Sequence, residues 1–206
     1  MTYQSKHITI KLPQEGYNTI ADQYGAFHQH LNDFDRWFFL RLLPRETKDL
    51  DAIDLGAGDG RIYKLLDKYP FKSFTACDIA EKLLAKHPNG KNIKKTVCDL
   101  ESTLPFPDET FDLAFSFFVL EHINDLHHFF SEMYRILKTW WEAILWYFLQ
   151  RREFIRKANK DQFKIQLFNY RIQDIEKIAK DCFFEVKLHP IEEKWYLIGW
   201  NIELRK

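Results

Sequence analysis

The sequence lacks an excess of charge, paired cysteines and any apolar run long enough to cross a membrane. Its 206 residues carry 30 basic and 30 acidic side chains, so the formal net charge is zero. Nucleic acid and anionic membranes are therefore disfavoured as partners, because no overall positive field attracts them. The longest apolar runs, residues 111–120 and 140–149, fall well short of the roughly 20 residues that a spanning helix needs. Since no apolar signal segment opens the chain, we expect a cytoplasmic protein.

Cysteine is also scarce. Cys77, Cys98 and Cys182 are scattered and odd in number, and no Cys-x-x-Cys pair indicates a zinc site. The sequence is therefore not typical of a disulfide framework, and we expect the three side chains to be buried as small hydrophobic groups. Cys77 and Cys98 each stand directly before an aspartate at the end of a predicted strand.

What the sequence does have is a regular alternation of short apolar runs and helical patterns. From residue 51 onward this order indicates right-handed crossovers and a mainly parallel sheet with helices on both faces. Near the end, only "PIEE" separates two strands, which is too short for a parallel crossover, so they form an antiparallel hairpin. We predict one α/β domain with an aromatic-rich helical cap (1–45), a ligand-binding core (50–138) and a segment that ends in the hairpin (139–206).

Three glycines follow the first predicted strand, in "DLGAGDGR". Gly56, Gly58 and Gly60 stand where ligands bind in open parallel sheets, beyond the carboxyl ends of the strands. A nucleoside-triphosphate loop needs GxxxxGK[ST], and a nicotinamide site beginning at Gly56 needs a third glycine at the position of Arg61. Asp59 would repel a pyrophosphate but tolerate a ligand with a cationic centre or an amino-acid moiety. A tight turn without a ligand stays the alternative on this evidence alone.

Acidic residues at successive strand ends favour a ligand. Asp78 closes the second strand, where a carboxylate accepts hydrogen bonds from ribose hydroxyls. Asp99 closes the third and is placed to accept from an exocyclic adenine amine, while Leu100 offers a backbone N–H to a ring nitrogen. Asp54 lies inside the first strand, and burial of its carboxylate is costly unless loop N–H groups or a ligand ammonium compensate it. The pattern indicates one nucleoside with an amino-acid arm.

Several motifs together resemble the class I S-adenosylmethionine (SAM) dependent methyltransferases. "DAIDLGAGDGR" resembles the glycine motif of that family, "TACDIAEKLLAKH" its acidic second motif, and the stretch from "VCDLESTLPFPDETFD" through "LEH" to "RILK" its third and fourth. The resemblance covers residues 17–138, and the "LPFPDETFD" run before "LEH" is typical of the branch that methylates small molecules.

The resemblance implies a three-layer αβα sandwich with a Rossmann-like sheet of seven strands, the last inserted antiparallel beside the fifth. It implies SAM as cofactor and S-adenosylhomocysteine as product. The residues it assigns to the cofactor are Asp54, Gly56, Ala57 and Gly58 at the methionine arm, Tyr24 near the carboxylate, Asp78 and Ile79 at the ribose and one adenine face, Asp99 and Leu100 at the adenine edge, and Phe117 at the methionine side.

The acceptor side is less defined. His122 follows the fourth strand, where it is either a general base or a structural histidine; Glu121 has a weaker claim. Tyr17 either shapes the acceptor pocket or belongs to the core, as does Tyr24. His127 and His128 lie in a predicted helix and are expected at its surface rather than at a metal.

The acceptor itself is expected to be a small molecule. Residues 151–164 hold six basic and two acidic side chains, which is either a solvated helix face or a sign of an anionic acceptor. The alternatives are a protein or RNA methyltransferase and a non-catalytic SAM-binding module.

One feature departs from the family pattern. Family members usually carry Pro-Gly-Gly before the fifth strand, but here "KTWWEAILWYF" has no glycine to adopt a positive φ after the helix. Trp140 and Trp141 occupy that turn. A longer helix, a homodimer contact through the two indoles and an altered reading of the sequence stay open as explanations.

Overall fold

A computed structural model describes residues 8–25, 38–149, 155–158, 161–193 and 196–206. Within these residues, the helices are α1 (Pro13–Ile20), α2 (Arg61–Leu65), α3 (Glu81–Leu84), α4 (Leu126–Ile136) and α5 (Ile172–Asp181). The strands are β1 (Thr9–Lys11), β2 (Asp51–Leu55), β3 (Ser73–Asp78), β4 (Ile93–Val97), β5 (Phe111–Phe117), β6 (Leu137–Phe148), β7 (Arg156–Ala158), β8 (Asp161–Ile165), β9 (Glu185–Glu193) and β10 (Tyr196–Arg205).

The centre of the fold is a seven-stranded sheet in the order β4-β3-β2-β5-β6-β10-β9. Neighbouring strands from β4 to β6 are parallel, whereas β10 runs antiparallel to both β6 and β9. After β2, the chain adds β3 and β4 on one side of it and then β5 and β6 on the other. This reversal makes the carboxyl end of β2 the switch point of the sheet. The predicted doubly wound α/β fold with an antiparallel last strand is confirmed.

The inner strands are apolar because both of their faces are covered. All seven residues of β5 are buried. One face packs on α4 and α5 through side chains such as Phe129, Phe130 and Ile175, and the other holds Phe39, Phe115 and Trp146. At about 1.5–3 kcal/mol per fully buried large apolar side chain, these two cores fix the register of the sheet and hence the level at which each strand ends.

A second, smaller sheet was not predicted from the sequence. Its order is β1-β8-β7, with β1 parallel and β7 antiparallel to β8. It corrects the reading of residues 151–164 as a solvated helix face, because the described part of that segment forms β7 and β8. Helix α1 lies against this sheet, where a Cβ on Gly16 would stand 2.6 Å from the Ile165 side chain. We call α1 and this small sheet the cap.

The cap also touches the core. Asn18 of α1 accepts a hydrogen bond from the backbone N–H of Lys82, at the start of α3, at 2.9 Å. Within the helical cap predicted over residues 1–45, helix α1 begins at Pro13, a residue that suits a first helical position. Residues 26–37, with Phe34 and Trp37, lie outside the described residues, while Phe39 is fully buried and Phe38 half-buried as core. Among the described residues, no helix combines the length and apolarity needed to cross a membrane.

The turn that lacks Pro-Gly-Gly is a bulge rather than a longer helix. Helix α4 ends at Ile136 and β6 begins at Leu137; opposite β5, Phe111 pairs with Leu137 but Leu113 pairs with Glu142. Trp140 has φ +72° and is 82 % exposed, whereas Trp141 is half-buried against the second core. The two indoles therefore point to different surroundings, and the homodimer prediction, which no observation tests, now rests on Trp140 alone.

We expect Trp140→Gly to be more stable than Trp140→Ala by about 1 kcal/mol, because glycine adopts a positive φ without the Cβ clash that other residues suffer. Both variants remove the same exposed ring, so their difference isolates the backbone. Denaturant titration measures it. At position 141, where φ is not positive, Trp141→Ala should be more stable than Trp141→Gly. If glycine were the more stable replacement there as well, backbone strain would not explain the result at position 140.

Candidate active site

The glycine loop after β2 is fastened to the next strand by its backbone. Gly56 and Ala57 both donate their N–H groups to the carbonyl of Cys77, at 2.8 and 3.0 Å. Gly56 has φ +83°, and a Cβ added to it would stand 2.2 Å from Val119. At Gly58, with φ +55°, an added Cβ would meet only Leu83 at 3.5 Å, so the space above this glycine is open toward the cavity described below. The loop therefore leaves backbone exposed to a ligand.

Asp78 completes the cradle from the side of β3. Its Oδ2 accepts from the N–H of Gly58 at 2.8 Å and its Oδ1 from that of Ala80 at 2.7 Å. Burial raises the pKa of Asp78, and the N–H donors of Ala80, Gly58 and Ile79 oppose that rise. Each oxygen keeps a further lone pair, so the carboxylate can both hold the loop and accept from a ligand hydroxyl.

Asp54 lies fully buried beneath the loop. Its Oδ2 finds no hydrogen-bond partner among the described residues. Burial, followed by the charge of Asp78, raises the pKa of Asp54 to about 8. A buried carboxyl left in this state is costly, and a ligand cation close to it would offset that cost.

Asp99 lies at the opposite end of the cradle, after β4. It is exposed, and its Oδ1 accepts from the N–H of Glu101 at 2.9 Å, which closes a turn of the chain around it. Leu100 beside it is buried. The backbone N–H of Cys98 donates to the carbonyl of Asp78 at 3.1 Å, so the ends of β3 and β4 are joined directly.

The strand ends and the cap enclose one cavity of about 610 Å³. A volume of this order is typical of small-molecule and cofactor sites. Its walls fall into two halves. The first, at the strand ends, consists of Gly56, Gly58, Asp78, Ile79, Leu83, Asp99, Leu100, Glu101 and Phe117. The second, toward the cap, consists of Leu12, Pro13, Gln14, Glu15, Tyr17, Tyr24, Phe118, Val119, His122, Ile123, Asn124, Gln166 and Phe168.

A tyrosine and a histidine meet in the cap half. The Tyr17 hydroxyl is 2.7 Å from His122 Nε2, and His122 Nδ1 is 3.0 Å from the carbonyl oxygen of Gln166. Because a carbonyl oxygen only accepts, Nδ1 carries the proton in that bond, so Nε2 of the neutral ring accepts from Tyr17. Tyr24 packs edge-on against Tyr17, with ring centroids 5.7 Å apart.

Two phenylalanines at the end of β5 form the wall between the halves. Phe117 is buried edge-on against Phe39, with centroids 5.1 Å apart. Phe118 has φ +60°, stacks on Phe148 at 4.9 Å, and lies under the guanidinium of Arg61 at 4.6 Å. A positive φ in an aromatic residue is strained, and at a cavity wall such strain is typical of functional sites.

Most residues predicted for the site line this cavity, though no ligand tests their roles. Two do not line it: Asp54 lies beneath the loop, and Ala57 is buried against Ala76 and Leu84. The cap residues Leu12, Gln14, Gln166 and Phe168 were missed, because nothing in the sequence pairs β1 with β8. Phe118 and Val119 directly follow the predicted Phe117, so the motif that predicts Phe117 could also have indicated them. His127 is exposed and His128 half-buried, as expected.

The cysteines correct one expectation. Cys77 and Cys98 are joined as a disulfide, with their Cα atoms 6.0 Å apart, and only Cys182 is a free, buried thiol. No spacing pattern in the sequence predicts this bond. The residues meet because β3 and β4 are adjacent and end at the same level of the sheet.

Comparison with known proteins identifies the family. Residues 53–139 match the family model described as "Methyltransferase domain". This stretch runs from β2 to the start of β6 and contains the loop, both strand-end aspartates and the His122 turn. This part of the chain is a methyltransferase domain similar to those of the class I SAM-dependent methyltransferases. The predicted family and cofactor class are thereby confirmed.

Curated relatives of this methyltransferase share part of its length. It is 28 % identical over 180 residues to the ubiquinone/menaquinone biosynthesis C-methyltransferase UbiE of Rickettsia bellii, covering 80 % of this chain and 68 % of that protein. It is 37 % identical over 87 residues to human mitochondrial arginine-hydroxylase NDUFAF5, covering 42 % of this chain and only 25 % of that protein.

Solved structures agree on the fold. A SAM-dependent methyltransferase from Aquifex aeolicus superposes with a TM-score of 0.68 at 16 % identity, covering 94 % of this chain and 98 % of that one. At this identity the likeness establishes the fold alone.

The residues of the methyltransferase fit the family's cofactor. SAM carries an ammonium and a sulfonium, and the partnerless Asp54 oxygen beneath the loop is the kind of group that a nearby cation compensates. The open face of Gly58 admits a ligand against the backbone, and Asp78 keeps accepting lone pairs for hydroxyls. The site is therefore consistent with SAM on its own chemistry.

We expect Asp54→Asn to stabilise the ligand-free protein, by an amount that grows as the pH rises from 5 to 8. The folded pKa of about 8 lies above the ordinary aspartate pKa of 3.8, so the wild type loses stability as pH rises between these values, by at most about 1.4 kcal/mol per pH unit. Asparagine removes that loss. Thermal unfolding at several pH values measures the difference.

Glu132→Gln is the matched control. The hydrogen bond from Arg135 lowers the pKa of Glu132 below the ordinary glutamate pKa of 4.5, so the stability that this carboxylate contributes is fully present across pH 5–8 and is lost only at lower pH. The difference in stability between Glu132→Gln and the wild type should therefore stay constant from pH 5 to 8. A flat difference for Asp54→Asn as well would contradict the raised pKa.

Proposed function

We propose that this protein transfers the methyl group of SAM to a small, largely apolar acceptor that gives up a proton from a hydroxyl group. One observation carries the proposal. A single cavity joins a cradle of glycine backbone and carboxylates, at the strand ends, to an aromatic chamber in which the Tyr17–His122 pair lies. A cofactor and an acceptor bound in these two halves would adjoin at Phe117 and Phe118.

In the cradle, Gly56, Gly58 and Asp54 would hold the methionine arm. Asp78 would accept from ribose hydroxyls, with Asp99 and Leu100 at the adenine. When bound, SAM supplies an electrophilic methyl group on a sulfonium. The protein's contribution is position and exclusion of water, and orientation alone contributes roughly 7–11 kcal/mol in favourable cases.

The acceptor half favours a ring system over an anion. Among the described residues that line the cavity, none is lysine or arginine, while Glu15, Asp78, Asp99 and Glu101 are acidic. The anionic acceptor considered from the sequence depended on residues 151–164, of which Arg151 and Arg152 lie outside the described residues. The aromatic rings of Tyr17, Phe118 and Phe168 that line the cavity instead suit an aromatic or other flat apolar molecule.

The Tyr17–His122 pair would remove the acceptor's proton. An acceptor hydroxyl that donates to the Tyr17 oxygen passes its proton there as the Tyr17 proton moves to His122 Nε2, and the ring becomes an imidazolium. The Gln166 carbonyl holds Nδ1–H throughout and keeps the ring in the required tautomer. His122 would thus act as a base through Tyr17 rather than in contact with the acceptor.

The names of the relatives support a small-molecule acceptor and also suggest a protein side chain as the alternative acceptor. UbiE is named as a C-methyltransferase of quinone biosynthesis, which is consistent with a flat apolar acceptor. NDUFAF5 is named as an arginine hydroxylase, so a protein side chain is the second candidate. The missing Pro-Gly-Gly turn no longer favours a non-catalytic module, because its replacement is a bulge at the opposite end of β5 from the cavity.

Asp78→Ala should weaken SAM binding by about 1.5–3 kcal/mol, the scale of hydrogen bonds to a charged group. Isothermal calorimetry measures the affinity. Asp174→Ala, which removes a surface carboxylate paired with Arg171 on α5, is the control and should bind as the wild type does. Unchanged affinity in Asp78→Ala would remove this residue from the ribose role, and absence of SAM binding to the wild type would remove the proposed function.

Tyr17→Phe should lower kcat by about 100-fold or more while SAM affinity stays the same, because only proton removal is lost. His122→Asn should do the same, and the double variant should be no slower than either single one, since the two act as a unit. The assay is transfer of labelled methyl from SAM to a panel of phenols, amines and carboxylic acids.

Two outcomes of that assay discriminate the candidates. Transfer to phenols that Tyr17→Phe abolishes supports the proposal. Transfer that appears only in a protein fraction, and is lost on Arg156→Glu in the cap, supports the protein side chain instead. Tyr24→Phe is the internal control, because it is expected to change SAM affinity rather than kcat.

A further inference from the structure

The two cysteines that precede the strand-end aspartates form a redox-sensitive clasp at the cofactor cradle. We propose that the Cys77–Cys98 bond holds the cradle in its SAM-binding shape, and that reduction of this bond to two thiols lowers the affinity for SAM. The inference rests on the proposed function, since it concerns the affinity of the same cradle.

The placement of the two residues supports a bond between neighbouring strand ends. Each cysteine stands directly before an aspartate: Cys77 and Asp78 are the last two residues of β3, and Cys98 and Asp99 directly follow the end of β4. Their Cα atoms are 6.0 Å apart, within the roughly 4.4–6.8 Å that disulfides span. Strands β3 and β4 pair in register up to Asp78 and Val97, so the bond lies just where the ladder ends.

The clasp is linked to the cradle through the backbone. The carbonyl of Cys77 accepts the N–H groups of both Gly56 and Ala57, and the N–H of Cys98 donates to the carbonyl of Asp78. A displacement of either cysteine therefore acts on the glycine loop, on Asp78 and on Asp99 together.

Reduction would require such a displacement. Two thiols occupy more space than two bonded sulfurs, because the covalent bond holds the atoms well inside van der Waals contact. Cys77 is completely buried in the first core beside Leu55 and cannot turn away, whereas Cys98 is 7 % exposed and follows the end of β4. The added space would come from the β4 side, which carries Asp99 and Leu100, the residues proposed for adenine.

The reaction is a thiol–disulfide exchange with an external dithiol reductant. A thiolate of the reductant attacks Cys98 Sγ, the S–S bond breaks, and the Cys77 sulfur leaves as a thiolate that takes up a proton. The second thiol of the reductant then displaces Cys98, which leaves the protein with two thiols and the reductant as a disulfide. Asp99 and Leu100 line the cavity next to Cys98, so bound SAM would shield this approach.

The test compares SAM affinity in the two redox states. The wild type is prepared oxidised and, after treatment with dithiothreitol, reduced, and intact mass with thiol titration establishes each state. Calorimetry should give an affinity for SAM at least about fivefold lower in the reduced protein, the lower end of typical coupling between sites. Saturating SAM should slow the reduction measured by thiol titration.

Three variants sharpen the comparison. Cys98→Ala and Cys77→Ala should each bind SAM with the same affinity before and after dithiothreitol, because neither variant has a bond to reduce. Cys182→Ala should behave as the wild type in both states, because this free thiol lies at the end of α5, 3.5 Å from Ser131 Oγ, and takes no part in the bond. Far-ultraviolet circular dichroism of the reduced protein should match that of the oxidised protein.

Each other outcome decides the matter. Equal SAM affinities in the two states, or three titratable thiols after mild oxidation, would overturn the clasp and leave the proposed function intact. Global unfolding on reduction would make the bond purely structural and also overturn it. Absence of SAM binding in both states would instead remove the proposed function on which the inference rests.

Discussion

The site depends on the attachment of the glycine loop to strand β3. The Cys77 carbonyl accepts from Gly56 and Ala57, and Asp78 accepts from Gly58, so three successive N–H groups of the loop are held by two residues of the neighbouring strand. The positive φ angles that glycine permits make this possible, and the register of β2 against β3 sets the height of the contact. A ligand bound above the loop therefore meets backbone that the parallel sheet has already positioned.

The sequence predicts this part well because its causes are local. Short apolar runs indicate buried parallel strands, and the strand ends carry Gly56, Asp78 and Asp99 in a fixed order, so their meeting at one edge follows from topology alone. The cap is different. Strands β1 and β8 have only three and five residues, too few for their alternation to stand out, and they pair across more than half the chain, Thr9 with Phe163. Such long-range pairing leaves no signal in a window of the sequence.

The same distinction explains Trp140. A missing glycine signals a break in the family pattern, yet its resolution depends on the far end of the chain: Trp140 donates to the carbonyl of Lys206, and Lys206 donates back to Trp141. These bonds extend the β6–β10 ladder through the bulge and hold the strained φ in place. Strain of this kind persists only where the surrounding structure fixes it, here by pairing with the last strand. The break consequently lies apart from the cavity.

The cap takes part in the proposed reaction because it sets the tautomer and the ring orientation of His122. The histidine comes from the core, but Tyr17 on α1 and Gln166 after β8 reach its two ring nitrogens from the cap. One donates and the other accepts, so together they select a single tautomer and a single ring orientation. Without the cap, the imidazole would keep its place in the fold but neither its tautomer nor its route to an acceptor proton. The cap therefore completes the base within the same cavity that would receive the acceptor, which links binding to reactivity.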